Sequence, residues 1–215
     1  MKLEEAKVKL ERIKNIPLKK LLKKEDFIDI KRNKGKTGQL LELLLGLKNT
    51  NTKLDFEDGE LKTNKVDKTG KPLETIFITQ IKKEIDNLLR KQSFEESYIY
   101  SKIKNLLYVS ICKEGDEKDW FIMNYIHVSE NNKNFNDLYK QLKSDYYIIC
   151  DKLNENIKNS KDGYIHTTSG KYIQIRSKDS KKKMAHTIRF FLLLIIEIYL
   201  IKIMHFILKK VLFMK

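Results

Sequence analysis

The chain has 215 residues, 41% of them hydrophobic, and 44 Lys and Arg stand against 29 Asp and Glu, a formal net charge of +15. The hydrophobic fraction excludes a wholly disordered chain, and the length suits one domain of moderate size, with or without an appendage. The basic surplus suits a polyanionic partner, nucleic acid before anionic membrane, although an AT-rich coding sequence favouring Lys, Ile and Asn leaves the same imprint.

The opening MKLEEAKVKLERIKNI places Leu3, Val8, Leu10 and Ile13 on a short amphipathic helix that stops before Pro17. This charged start is no secretory leader, and Cys112 and Cys150 have no zinc-like spacing, so a reducing cytoplasm is expected. PLKKLLKKEDF restarts a helix with proline in its first turn. NKGKTG reads as a basic, glycine-containing loop, and QLLELLLGL as a buried helix with one acid, Glu42. Gly-Lys-Thr invites a nucleotide phosphate-loop reading, but the full pattern needs glycine where Ile30 stands, so that reading is rejected. Strands are predicted within DFEDGELKTNKV, PLETIFIT, SKIKNLLYVSIC and DWFIMNYIHVS. NDLYKQLKSDYYIICDKLNENI has helical period, and GYIHTTSGKYIQIR reads as a hairpin turning at Ser169-Gly170. Central strands with helices on both sides make a mixed α/β or α+β domain, taken here as residues 1–180.

Residues 181–215 form a separate tail. After Lys181-Lys182-Lys183, the segment Phe190 to Leu208 is almost wholly apolar, broken by Glu197, Lys202 and His205. A membrane helix needs about 20 apolar residues, and each central charge costs about 2.5–3.5 kcal/mol on insertion scales, so the span is marginal. The neighbouring lysines suit anionic lipid. Three readings are open: an out-of-frame end, a membrane-associated helix, or a variant core helix.

The stretch DFEDGELK packs four acids and one lysine into eight residues of a basic chain. On a strand, Glu60 and Lys62 project from one face while Leu61 points to the core. Asp55 lies upstream, across a bend that Gly59 permits. Two carboxylates and a strand carbonyl are hard oxygen ligands that suit Mg²⁺. The lysine can orient or deprotonate a water, or steady charge on a phosphate in transition. Asp…Glu-x-Lys is the pattern of many metal-dependent nucleases, yet as a bare expression it is weak, and a solvated charged strand also fits. Glu42 is either at a wet helix edge or buried beside a metal or lysine. Glu57 and Asp58 are read as turn residues without a chemical role.

Taken in order, GQLLELLLG, DFEDGELKTNKVDKTGKPLETIFIT, SKIKNLLYV and GKYIQIRSKDS resemble the MutH family, which includes the mismatch-repair nicking endonuclease and type II restriction endonucleases that cut at GATC. The resemblance covers roughly residues 30–180. It implies a restriction-endonuclease-like fold, a central mixed sheet flanked by helices in two subdomains that form a DNA cleft, and Mg²⁺-dependent hydrolysis of double-stranded DNA. Carried over by motif, Asp55 and Glu60 are metal-binding carboxylates, Lys62 is the catalytic lysine, and Glu42 is a further acid contributing to the metal site. Lys102, first lysine of SKIK, matches a lysine near the active site. Lys34 matches a lysine that approaches DNA, and Phe77, at the end of PLETIF, contacts DNA or packs.

Two departures from the family pattern stand out. The stretch between Asp55 and Glu60 is shorter than in mismatch-repair members. After YIQIRSKDS, the base-reading region is replaced by the apolar tail, whose end HFILKKVLFMK echoes a family strand; a frameshift near Met184 to Phe190 would account for this, as the first of the three readings of the tail. The expected function is a GATC-cutting DNA endonuclease of restriction type. The alternatives are a non-cleaving DNA-binding remnant and a membrane-anchored basic protein.

Overall fold

The structure is a computed structural model that describes residues 1–23, 25–27, 36–47, 53–159, 167–177 and 190–194. They divide into two compact units, Met1–Glu74 with Lys102–Ser129, and Thr75–Ser101 with Glu130–Lys215.

The first unit is built on a three-stranded mixed sheet flanked by helices. Strand β1 (Glu60–Val66) runs parallel to β3 (Asn105–Cys112), which pairs antiparallel with β4 (Phe121–Ser129), giving the order β1-β3-β4. Because β3 is central and covered on both faces, Leu106 through Cys112 are all buried, and its sequence is nearly continuous in apolar residues rather than alternating. Helix α1 (Leu3–Ile13) buries Leu3, Ala6 and Leu10, whose spacing of three and four makes one stripe. Helix α2 (Lys36–Leu45) adds Leu41 and Leu45 to the same core, with Phe56, Leu61, Leu107, Val109, Ile111 and Ile122. Each fully buried leucine contributes about 1.5–3 kcal/mol through water exclusion.

Helix α2 ends at a defined point. Gly46 adopts φ +74°, its N–H donates to the Leu43 carbonyl at 2.9 Å, and the Leu47 N–H donates to the Glu42 carbonyl at 2.8 Å. This is a Schellman cap. The Lys9 ammonium adds a hydrogen bond to the Leu45 carbonyl at 2.5 Å, a cation at the negative end of the helix.

Of the helix expected from Pro17 onward, Leu18–Lys20 form a 3-10 turn and residues 25–27 are helical. Around Pro17 the chain is drawn onto β4: the Asn15 N–H donates to Ile122 and the Leu18 N–H to Trp120, both at 2.8 Å.

The second unit holds a four-stranded antiparallel sheet in the order β2-β7-β6-β5, from β2 (Ile76–Gln80), β5 (Thr168–Ser169), β6 (Ile173–Ser177) and β7 (Phe190–Leu194). Its helices are α3 (Ile85–Leu89), α4 (Tyr98–Ile103), whose last turn passes into the first unit, and the long α5 (Asn136–Asn159). The predicted hairpin is present as β5 and β6. The helical reading of the apolar tail is corrected at its start. Phe190–Leu194 form a strand between β2 and β6, because an unbroken run of apolar residues satisfies a covered strand as well as a helix. Residues 195–215, including the rest of the segment read as a membrane span, lie outside the described residues. No helix among the described residues is long and apolar enough to cross a membrane.

Within this second unit, Asp145 of α5 is fully buried. Its carboxylate accepts from the Ile173 N–H at 3.0 Å, from the Tyr172 N–H, and from the Gln141 amide at 2.7 Å. A Cβ on Gly170 would lie 2.5 Å from the Asp145 Cγ, so the hairpin turn packs directly on the carboxylate. Asp145→Ala strands two buried backbone donors, each costing about 1–3 kcal/mol. The expected result is a loss of about 2–4 kcal/mol of unfolding free energy in a urea titration.

Candidate active site

The candidate residues of the first unit come from four successive pieces of chain. Glu42 stands on α2, Asp55 in the bend before β1, Glu60 and Lys62 on β1, and Lys102 in the last turn of α4. Strand alternation places Glu60, Lys62 and Asn64 on one face of β1, while Leu61 enters the core on the other.

Glu60 is the centre of the cluster and is only 2% exposed. Lys62 Nζ donates to its Oε1 at 2.5 Å, and Lys102 Nζ reaches Oε1 at 3.1 Å and Oε2 at 2.9 Å. Lys102 also donates to the Lys53 carbonyl, just upstream of Asp55. The Asp55 Oδ2 accepts the Leu61 N–H at 2.9 Å, which fixes this carboxylate beside the start of β1.

The electrostatics follow from this crowding. Burial pushes the Glu60 carboxyl above the ordinary carboxylate range; Lys62 pulls it down, Asp55 pushes it up, and the hydrogen bonds from the two lysines do not restore it. Glu42 is pushed up as well, first by burial and then by Asp55 and Glu60, with Lys62 opposing. Asp55 thus repels the charged forms of both Glu60 and Glu42, and a divalent cation relieves such repulsion. Mg²⁺ takes one or two protein carboxylates and keeps its remaining waters, and Asp55, Glu60 and Glu42 are candidates of that chemistry. Among the described residues no group of three or more His, Cys, Asp or Glu forms a ready cage for an ion.

The remaining expectations divide. Lys34 lies outside the described residues. Phe77 lies in the second unit on β2 and is 44% exposed. Three residues with a part in the site escaped sequence reasoning. Asn64 is 3% exposed, donates to the Glu74 carbonyl at 2.9 Å and extends the polar face beyond Lys62, with no hydrogen-bond partner for its Oδ1 among the described residues. Its place at the next alternate position after Glu60 and Lys62 was the available signal. Asp58 is no idle turn residue: its Oδ1 accepts the Leu3 N–H at 2.9 Å. Asn105 donates to the Asp58 carbonyl at 2.6 Å. Nothing local in sequence announces either contact.

Comparison with known proteins meets this geometry. A family model described as "DNA mismatch repair enzyme MutH" matches residues 45–144. Over those residues the chain is similar to the MutH family. It is 40% identical over 91 residues to the DNA mismatch repair protein MutH of Enterobacter sp. (strain 638), a stretch covering 41% of this chain and 37% of that protein. It is 37% identical over 91 residues to MutH of Shewanella woodyi, covering 41% and 38% of the two chains. A longer match, 28% identical over 171 residues, covers 73% of this chain and 66% of MutH of Actinobacillus pleuropneumoniae. The matched stretches thus span between 37% and 66% of the relatives' length. The MutH match contains Asp55, Glu60, Lys62 and Lys102, while Glu42 precedes it. The mixed sheet flanked by helices accords with the restriction-endonuclease-like fold expected from sequence.

Glu42 offers a direct test of this repulsion between carboxylates. Its raised pKa means that the folded state holds the proton more tightly than the unfolded state, so this contribution is present at low pH and is lost as pH rises through the folded value. Metal-free Glu42→Gln is expected to melt at a higher temperature than wild type at about pH 7, the gap closing towards about pH 4. Adding Mg²⁺ is expected to raise the wild-type melting temperature more than that of the variant, as scanning fluorimetry across pH would show.

Proposed function

We propose that the chain is a Mg²⁺-dependent endonuclease that hydrolyses phosphodiester bonds in double-stranded DNA at GATC sites, in a restriction-type role. The observation that carries this reading is the buried cluster in which Glu60 is bracketed by Lys62 and Lys102, with Asp55 fixed at the start of the same strand. Similarity to the MutH family over residues 45–144 supports it.

Asp55, Glu60 and Glu42 would hold the cation. When bound, it stabilises charge on the phosphate oxygens and makes a coordinated water a stronger nucleophile. The chain's own groups do the rest. Lys102, 10% exposed, holds both oxygens of Glu60 and so fixes its rotamer. Lys62, 16% exposed, stands nearer solvent than Glu60, where its ammonium can orient the attacking water or meet the negative charge that grows on the phosphate. Water attacks phosphorus in line, a P–O bond forms, the opposite P–O bond breaks, and the leaving oxygen takes up a proton. The surplus of 44 Lys and Arg over 29 Asp and Glu draws DNA towards a site that is locally acidic.

Glu60→Ala and Lys62→Ala are each expected to lower cleavage of unmethylated GATC plasmid in Mg²⁺ by at least roughly 10²-fold, measured by gel assay. Retention of wild-type cutting by both variants would sink the assignment. A second reading, nicking in mismatch repair, is favoured by the names of the relatives. Linear product marks the restriction role, and a nicked circle marks the repair role. Salt-dependent binding without either product would mark a non-cleaving DNA-binding remnant.

A further inference from the structure

The stretch from Asp55 to Glu60 carries a candidate metal ligand at each end. What lies between them is pinned from several directions. The Phe56 side chain is 3% exposed and enters the core with Leu3, Leu41 and Leu61. Its N–H donates to the Gly59 carbonyl at 2.9 Å, closing a tight turn. The Glu57 N–H donates to the Met1 carbonyl at 3.2 Å. Asp58 Oδ1 takes the N–H of Leu3, the first residue of α1, at 2.9 Å. The first turn of a helix has no carbonyl partner for its N–H groups, and Lys2, which precedes it, has no side-chain acceptor to offer, so Asp58 supplies the missing one from 55 residues away.

The other side of the turn is held by β3. Asn105 donates to the Asp58 carbonyl at 2.6 Å, and the Asn105 Oδ1 is itself paired with His127 Nε2 at 2.7 Å. A Cβ at Gly59 would fall 2.7 Å from the Asn105 carbonyl oxygen and 2.9 Å from Leu3 Cδ1, so the turn is pressed against both elements with no space between.

We propose that Asp58 is a positioning residue for the metal pair: by capping α1 it locks the Asp55–Glu60 loop, and so sets the separation of the two carboxylates at the loop's ends. The inference rests on the metal reading given under Proposed function. A five-step loop with a free tip samples many end-to-end distances, whereas this one is tied to a helix and to the central strand. The carboxylates then approach each other before any ion arrives, and the cation need not organise the chain to bind.

Two variants separate anchoring from charge. Asp58→Ala removes the acceptor and the negative charge, whereas Asp58→Asn keeps an acceptor for the Leu3 N–H and removes only the charge. The full chain is titrated with Mn²⁺, which takes similar hard oxygen ligands, and free ion is followed by its electron paramagnetic resonance signal. Hydrogen exchange at the Leu61 amide, bonded to Asp55, reports the loop without any metal.

Asp58→Ala is expected to weaken Mn²⁺ binding roughly three- to ten-fold, the range of one net hydrogen bond. It should also speed exchange at Leu61 while leaving the amides of β3 protected. Asp58→Asn is expected to match wild type in both measurements. Unchanged Leu61 exchange in Asp58→Ala overturns the proposal, as does a loss in Asp58→Asn equal to that in Asp58→Ala, which would assign the effect to charge. Mn²⁺ binding that is indifferent to Glu60→Ala overturns the metal reading instead, and the Leu61 exchange still decides the anchor.

Discussion

Taking a carboxylate out of water costs several kcal/mol unless its charge is met inside the protein. Glu60 is 2% exposed, and two ammonium groups meet it, one from its own strand and one from α4. The rest of the first unit can be understood as the scaffold that makes this arrangement tolerable. Strand β1 supplies Lys62 by simple alternation, while Lys102 is brought in from 42 residues away. Neither lysine cancels the burial penalty, and the Glu60 carboxyl stays above its ordinary range. A protein selected only for stability would place an apolar residue there. Retaining the charge, with Asp55 and Glu42 beside it, leaves the site short of positive charge, a deficit that a bound cation would correct.

The supporting framework is notable for how many groups serve the short loop before β1. Helix α1 is the far end of the chain in sequence, yet its first amide is satisfied by Asp58 and its Leu3 side chain closes over Gly59. The Schellman cap on α2 has a similar effect on Glu42. By ending the helix at Leu45, it leaves Glu42 in the last turn, and the Lys9 ammonium of α1 is bonded to the carbonyl of that final residue. One amphipathic helix thus braces two of the pieces that carry acids.

Much of this was legible beforehand, and the division between what was and was not has a physical basis. Period-two alternation in ELKTNKV put Glu60 and Lys62 on one face, and the resemblance to MutH grouped them with Asp55, Glu42 and Lys102, as the structure does. The cap made by Asp58 and the brace made by Asn105 were hidden, because both join residues about fifty positions apart and leave no local pattern. The partition of strands was hidden for the same reason. Strands β1 and β2 are neighbours in sequence, yet β1 pairs with β3 and β2 with β7. Proline at position 17 signalled a helix start, but pairing with β4 competed successfully for the same backbone groups. In the tail, FFLLL offered no alternation to separate strand from helix.

The position of β7 bears on how far the sheet of the second unit depends on the tail. Its five residues sit between β2 and β6 and are joined to both through main-chain groups. The register runs from Phe190 to Leu194 against β6 and from Phe191 to Leu194 against β2. Loss of those residues would have a definite consequence for the sheet. It would open two unpaired edges at once, on β2 and on β6, and such edges invite pairing between molecules.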